Sequence, residues 1–253
     1  MDLRREILRN VVLCQALEPL ARRPRLETVP GGPKAEYFVV AGVNSAWAFY
    51  DLADRILAKE GQPRCIFDLA YEAQAASVRN RLGGRVNFGQ ITLLLPLATA
   101  QVLDYLESGT HEDIESILGR TGDVLRNTSE EDVEYLEKFI NLGIEVSARH
   151  RERTGRKKTS PAQELRGRFT NVYDVCSEFQ HLHVVREITQ GYPHTQHAYR
   201  FLLHNADNGI LPAARLIYQL LLAELQRPDL VSDVLAAGLY LVLSKHPEGV
   251  LFT

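Results

Sequence analysis

Apolar residues recur at three- and four-residue spacing along nearly the whole of this 253-residue chain, and sustained alternation is nearly absent. That spacing stacks side chains on one face of a helix, whereas a half-buried strand needs a period of two. The pattern predicts an all-α protein, a multi-helix bundle. With no internal repeat or low-complexity tract to divide it, residues 1–253 read as a single domain. Leu3, Ile7, Val11 and Cys14 mark a first helix, ended by the proline-rich RRPRLETVPGGPK. A second, Tyr37 to Leu57, carries Phe38, Ala41, Ser45, Ala48 and Leu52 on one face, and its Trp47 and Tyr50 are expected in the core. Ile66 to Leu82 reads as a third. Gln90 to Leu106 is apolar nearly all round, the pattern of a helix at the centre of a bundle. HEDIESILGR and TSEEDVEYLEKFINLGIEVSARHRE follow, the latter opening with Thr128 and Ser129 as hydroxyl caps ahead of Glu131 and Asp132. Val172 to Ile188, His194 to His204, Ile210 to Gln226 and Leu230 to Leu243 complete the set, with Pro193, Pro212 and Pro228 at helix starts.

Charge and cysteine content narrow the function classes. A net charge of −3 argues against a nucleic-acid-binding surface spread over the molecule. Cys14, Cys65 and Cys176 stand far apart, with no CxxC pair, which fits neither a disulfide framework nor a zinc ribbon and points to a reducing compartment. The opening MDLRREILRN carries charge where a signal peptide has its apolar region, and no apolar run approaches the roughly 20 residues a bilayer span needs. The expected setting is cytoplasmic, with small-molecule partners and neither nucleic acid nor membrane; oligomeric state is not legible.

Two constellations suggest chemistry. RLGGRVNFGQITLLLPLATA places Gly83, Gly84 and Gly89 around Arg85 and Asn87, directly ahead of an apolar helix. It is no Walker loop, because no GKS or GKT follows. It can still hold an anion on free backbone N–H groups at a helix start, with Arg85 adding a bidentate contact. The alternative is a plain turn with Asn87 as cap. Glu131 and Asp132 can hold magnesium through oxygen ligands, or simply serve the helix dipole. His181, His183, His194, His197 and His204 lie within 24 residues, without complete metal-ligand spacing. The basic RERTGRKKTSPAQELRGRF, bounded by Gly155 and Pro161, suggests a mobile loop over residues 151–164 that can close over phosphates.

Taken in order, these pieces resemble the triphosphoribosyl-dephospho-CoA synthase family, helical transferases that condense ATP with dephospho-CoA and release adenine. GGRVNFGQITLLLPLA is similar to the family's glycine, Asn-Thr, glycine and LLLAPLA-like segment, with Arg85 and Val86 where Asn-Thr stands. LRNTSEEDVEYLEKFINLG resembles its T-x-E-D-A segment, and FTNVYDVCSEFQHLHVVREITQGY a later helix pair that includes Arg186-Glu187 and Gly191-Tyr192. LVLSKHPEG resembles its final S-x-H-P-D, with Glu248 for the acid. The family's Lys-Pro-Gly-Asn-like N-terminal signature is not recognisable; ETVPGGPKAEYF occupies that region. Leu182 and His183 stand where an acid precedes Arg186.

The resemblance implies an ATP-dependent transferase that joins the triphosphoribosyl part of ATP to an acceptor, dephospho-CoA or a related cofactor precursor. It implies Gly83, Gly84, Arg85, Asn87 and Gly89 at the phosphates, Glu131 and Asp132 on Mg²⁺, Arg186 as an anion contact and Asp174 as an orienting or basic group. The missing N-terminal signature leaves a second reading open. That reading is a non-catalytic or re-purposed nucleotide-binding or assembly protein, in pterin or one-carbon cofactor synthesis.

Overall fold

The computed structural model describes residues 2–22, 34–79, 87–109, 113–153 and 164–246. Among these, every regular element is helical: α1 Leu3–Ala21, α2 Ala35–Lys59, α3 Phe67–Val78, α4 Phe88–Ser108, α5 Ile114–Arg126 and α6 Glu130–Arg153. The second half adds α7 Val172–Glu178, α8 His183–Thr189, α9 Pro193–Asn205, α10 Ile210–Leu225 and α11 Pro228–Lys245. The all-α expectation holds.

Two helices form the centre. On α4 nearly every residue from Gln90 to Val102 is buried, and on α11 every one from Val234 to Ser244 is. They pack on each other, and α1, α2, α5, α9 and α10 surround them; α3 bridges α2 to α6. One apolar core runs from Leu3 to Leu243. The stripes read from the sequence are buried: Leu3, Ile7, Val11 and Cys14 on α1 and Ala48 and Leu52 on α2 in that core, Phe38 and Ala41 in a small separate cluster, and Ser45 as well.

Four expectations need correction. Trp47 is 60% exposed, because it lies two residues, about 200° of helix rotation, from the buried Ser45. The helix expected from Val172 to Ile188 is two helices, broken by a turn at 179–182. The third helix ends at Val78 rather than Leu82. Of the basic loop expected over 151–164, residues 151–153 belong to α6, which runs to Arg153, and residues 154–163 lie outside the described residues. Prolines enter at helix starts as expected at Pro193 and Pro228, and also inside α1 at Pro19 and α4 at Pro96.

Candidate functional site

Several polar side chains are buried at the start of α4, among them Asn87 and Gln90 with Gln15 and Glu18 of α1. Asn87 occupies the position that usually caps the helix, yet its backbone is left-handed (φ 57°) and its side chain makes no capping bond. Instead its amide reaches away, donating to Gln15 Oε1 of α1 and to the Phe38 carbonyl of α2, each at 3.3 Å. Ser45 donates to the same Gln15 oxygen at 3.0 Å. Gly42 makes room for this, since a Cβ there would stand 2.7 Å from Gln15 Cβ and 2.8 Å from its Oε1. So α1, α2 and α4 are tied at one polar point.

One turn along α1, Glu18 is fully buried. Gln90 of α4 donates to it at 3.2 Å, and Arg22 Nε approaches its other oxygen at 2.5 Å. Burial pushes the Glu18 carboxyl up, opposed by the Arg22 charge and by hydrogen bonds from Ser232 and Gln90. Arg22 itself lies over the Phe38 ring, 4.2 Å from its centroid. From α11, Asp233 brings its carboxylate against Gly89: a Cβ on that glycine would sit 1.8 Å from Asp233 Oδ2. A carboxylate beside a helix start is favoured by the positive end of the dipole.

This cluster is not fully self-satisfied. Gln15 Nε2, Asn87 Oδ1 and Gln90 Oε1 are buried with no hydrogen-bond partner. Orphaned buried amide atoms are costly and uncommon in folded proteins. Asn87 and Gln90 belong to the start of α4, whose first turn offers N–H groups with no intrahelical acceptor. The N–H groups and Gln15 Nε2 are donors that suit an anion, whereas the Asn87 and Gln90 amide oxygens are acceptors that suit a hydroxyl, an N–H or a cation.

The residues expected from sequence divide accordingly. Asn87 and Gly89 belong to this cluster; Gly83, Gly84 and Arg85 lie outside the described residues, directly ahead of it. Glu131 and Asp132 belong elsewhere. Asp132 Oδ1 accepts from the backbone N–H of Ile66 and Phe67, and Oδ2 from that of Ser129, at 2.8–2.9 Å. It therefore caps α3 and its own helix at once, in a capping box with Ser129. Glu131 is half exposed, 3.6 Å from Arg64. Asp174 is exposed near the start of α7, where it accepts from Asn171 Nδ2 at 3.0 Å and its N–H donates to Asn171 Oδ1 at 2.9 Å. Arg186, on α8, donates to the Gln180 carbonyl and lines a pocket of about 270 Å³ with His183, His194 and Arg227. Its neighbour Glu187 is buried, holding His194 Nδ1 at 2.8 Å and the Thr195 N–H at 2.7 Å. No group of three or more histidine, cysteine or acidic side chains placed to hold a metal occurs among the described residues.

Gln15, Glu18, Gln90 and Asp233 were not singled out from the sequence. Their signal was available: each interrupts an otherwise apolar face, as in VVLCQALEPL and LVSDVLAAGLYLVLS. A polar residue at a core position needs a partner or a ligand.

Among the described residues the chain is an all-helical bundle with an incompletely satisfied polar cluster at a central helix start. The sequence profile of the CitG family, described as ATP:dephospho-CoA triphosphoribosyl transferase, matches residues 31–229, and the chain belongs to that family. No curated protein and no solved structure matches it. The family's description names ATP as the donor of the triphosphoribosyl group. No helix among the described residues is long and apolar enough to cross a membrane.

Proposed function

We propose that this protein transfers the triphosphoribosyl part of ATP to dephospho-CoA or a related cofactor precursor, with the triphosphate held at the start of α4. The observation that supports this reading is the start of α4, beside the stretch that carries the family pattern. There, N–H groups without intrahelical acceptors and the orphaned Gln15 Nε2 are donors for phosphate, and the orphaned Asn87 and Gln90 oxygens are acceptors for a ribose hydroxyl or a cation. In the reaction an acceptor hydroxyl forms a bond to C1′ of the ribose while the bond from C1′ to adenine breaks. The hydroxyl proton is lost and adenine leaves with a proton. The chain's part is positional and electrostatic: Gly83, Gly84, Arg85, Asn87 and Gly89 bind phosphate oxygens, and the amides of Gln15 and Gln90 fix their orientation. Burial raises the Glu18 carboxyl while the Arg22 charge and the hydrogen bonds from Ser232 and Gln90 oppose that shift. Arg186, with His183 and Arg227 beside it, remains the best anion contact at the far pocket. Asp174, exposed near the start of α7 and hydrogen-bonded to Asn171, is the proposed orienting or basic group.

Magnesium fits Asp233 better than the pair read from sequence. Asp132 spends both oxygens on backbone N–H groups, and Asp233, whose carboxylate stands against Gly89 at the start of α4, would hold the ion beside the phosphates. Bound there, the ion would supply charge neutralisation on the phosphates.

The test is thermal. ATP with Mg²⁺ raises the melting temperature by mass action if it binds the native state. Arg85→Ala and Asn87→Ala each diminish that rise. Full response in both folded variants would reduce the segment to a turn and remove the basis of this reading.

A further inference from the structure

A second cavity lies on the opposite side of the same helix start. Its volume is about 360 Å³, and it is enclosed by α3, α4, α5, α6, α7 and α8. Well-packed interiors leave few voids larger than a water molecule, and small-molecule sites begin at roughly 300 Å³. Its walls are apolar, aliphatic for the most part but with four phenylalanines, Phe67, Phe88, Phe139 and Phe179, of which Phe88 and Phe139 stack at 4.2 Å between centroids. The polar atoms along it belong to Thr92, Cys176 and His181. Thr92 donates to the Phe88 carbonyl at 2.8 Å, which leaves its oxygen free to accept. Burial pushes the Cys176 thiol up to about 12, so it stays neutral. Among the described lining residues there is no carboxylate, ammonium or guanidinium.

We infer that this chamber binds an uncharged aromatic ring. A charged group brought into it would lose its water without gaining a partner, whereas a flat ring meets ring faces and edges at favourable separations. The rim is the turn that splits α7 from α8. Leu182 stands 47% exposed there, with His181 exposed and Val184 and Val185 half buried. Asn87 of the polar cluster and Phe88 of the chamber are consecutive, so the two sites flank one turn of α4. Resting on the transferase reading, the ring is part of the acceptor, bound beside the triphosphate.

The test uses the full chain and a neutral probe, N-phenyl-1-naphthylamine, followed by fluorescence. Saturable binding is expected. Val184→Trp and Val185→Trp, which fill the chamber from its rim, each weaken it about tenfold or more, as does a sulfonate on the probe. Absence of saturation, or equal affinity in folded variants or for the sulfonated probe, overturns the proposal. Should both variants misfold, amide exchange in the wild type decides. The probe must slow residues 172–189 and leave 228–245 unchanged, and no such difference overturns it too. Dephospho-CoA displaces the probe if the ring is the acceptor's; binding without displacement removes that assignment alone. Loss of the ATP response with probe binding intact sinks the transferase reading and not the chamber, and the reverse result sinks only the chamber.

Discussion

Gly89→Ala is the most direct probe of how the candidate site is built. Gly89 is the second residue of α4 and its backbone is not among the left-handed positions, so no conformational demand requires glycine there. On propensity alone alanine would stabilise the helix by up to about 1 kcal/mol. The obstacle is spatial: the new Cβ would stand 1.8 Å from Asp233 Oδ2, 2.4 Å from Cγ and 2.8 Å from Oδ1. The carboxylate must rotate away or α4 and α11 must part, and overpacking of this kind costs about 1–3 kcal/mol. A fall in melting temperature of roughly 2–10 °C follows for a chain of this size. Asp233→Ala removes the obstruction, so adding Gly89→Ala to it should be neutral or stabilising. The double-mutant cycle in urea therefore gives a coupling of about 1–3 kcal/mol. If Gly89→Ala costs the same in both backgrounds, Asp233 does not press on Gly89. The cluster would then be built differently from the description above.

The sequence was most legible where one period governed a whole element. The stripes on α1 and α2 and the all-round burial of α4 follow from spacing, because in a bundle burial is decided by which face meets a neighbour. Trp47 fails that logic only if large aromatics are assumed to be inside; its angular position predicts exposure, and the surface tolerates it. The break at 179–182 was hidden because Phe179, Leu182 and Val185 keep a helical spacing across it. The turn is stabilised locally, the Leu182 N–H donating to the Phe179 carbonyl at 2.9 Å. The site was half legible. NFG before an apolar run marked Asn87 and Gly89, but their partners Gln15, Glu18 and Asp233 come from helices remote in sequence. Asp132 shows the converse: an acid two residues from the first helical position looks the same whether it binds a cation or backbone N–H groups. The Ile66 and Phe67 amides that decide the matter lie over sixty residues away in sequence.

Three further outcomes are expected. Asp132→Ala should lower stability by about 2–4 kcal/mol in urea denaturation, since it strips acceptors from three backbone donors. It should leave the proportional response to ATP with Mg²⁺ intact, and a lost response at unchanged stability would restore the magnesium role. Asp233→Asn should weaken the Mg²⁺-dependent part of the ATP thermal shift while sparing the shift in ATP with EDTA; an equal loss in both conditions removes magnesium from that carboxylate. The last concerns Glu18, fully buried, whose carboxyl lies above its ordinary value near 4.5 because burial disfavours the anion. Below that value native and unfolded chains are both protonated, and nothing is lost. As pH rises through 4.5 the unfolded chain gives up the proton first while the native chain retains it. The native state then binds more protons, and stability falls until pH passes the raised native value. Glu18→Gln cannot ionise in either state, so it lacks this loss. Relative to wild type it should gain up to about 1.4 kcal/mol for each pH unit within that window. The missing Arg22 partner enters mainly as an offset while the native carboxyl is neutral, so the slope and not the absolute difference is the readout. Melting curves of both proteins from pH 4.5 upward give it directly. A difference that stays flat with pH would mean that Glu18 is ionised in the native protein from the start, its charge held by Arg22, and the polyphosphate would then face a buried anion.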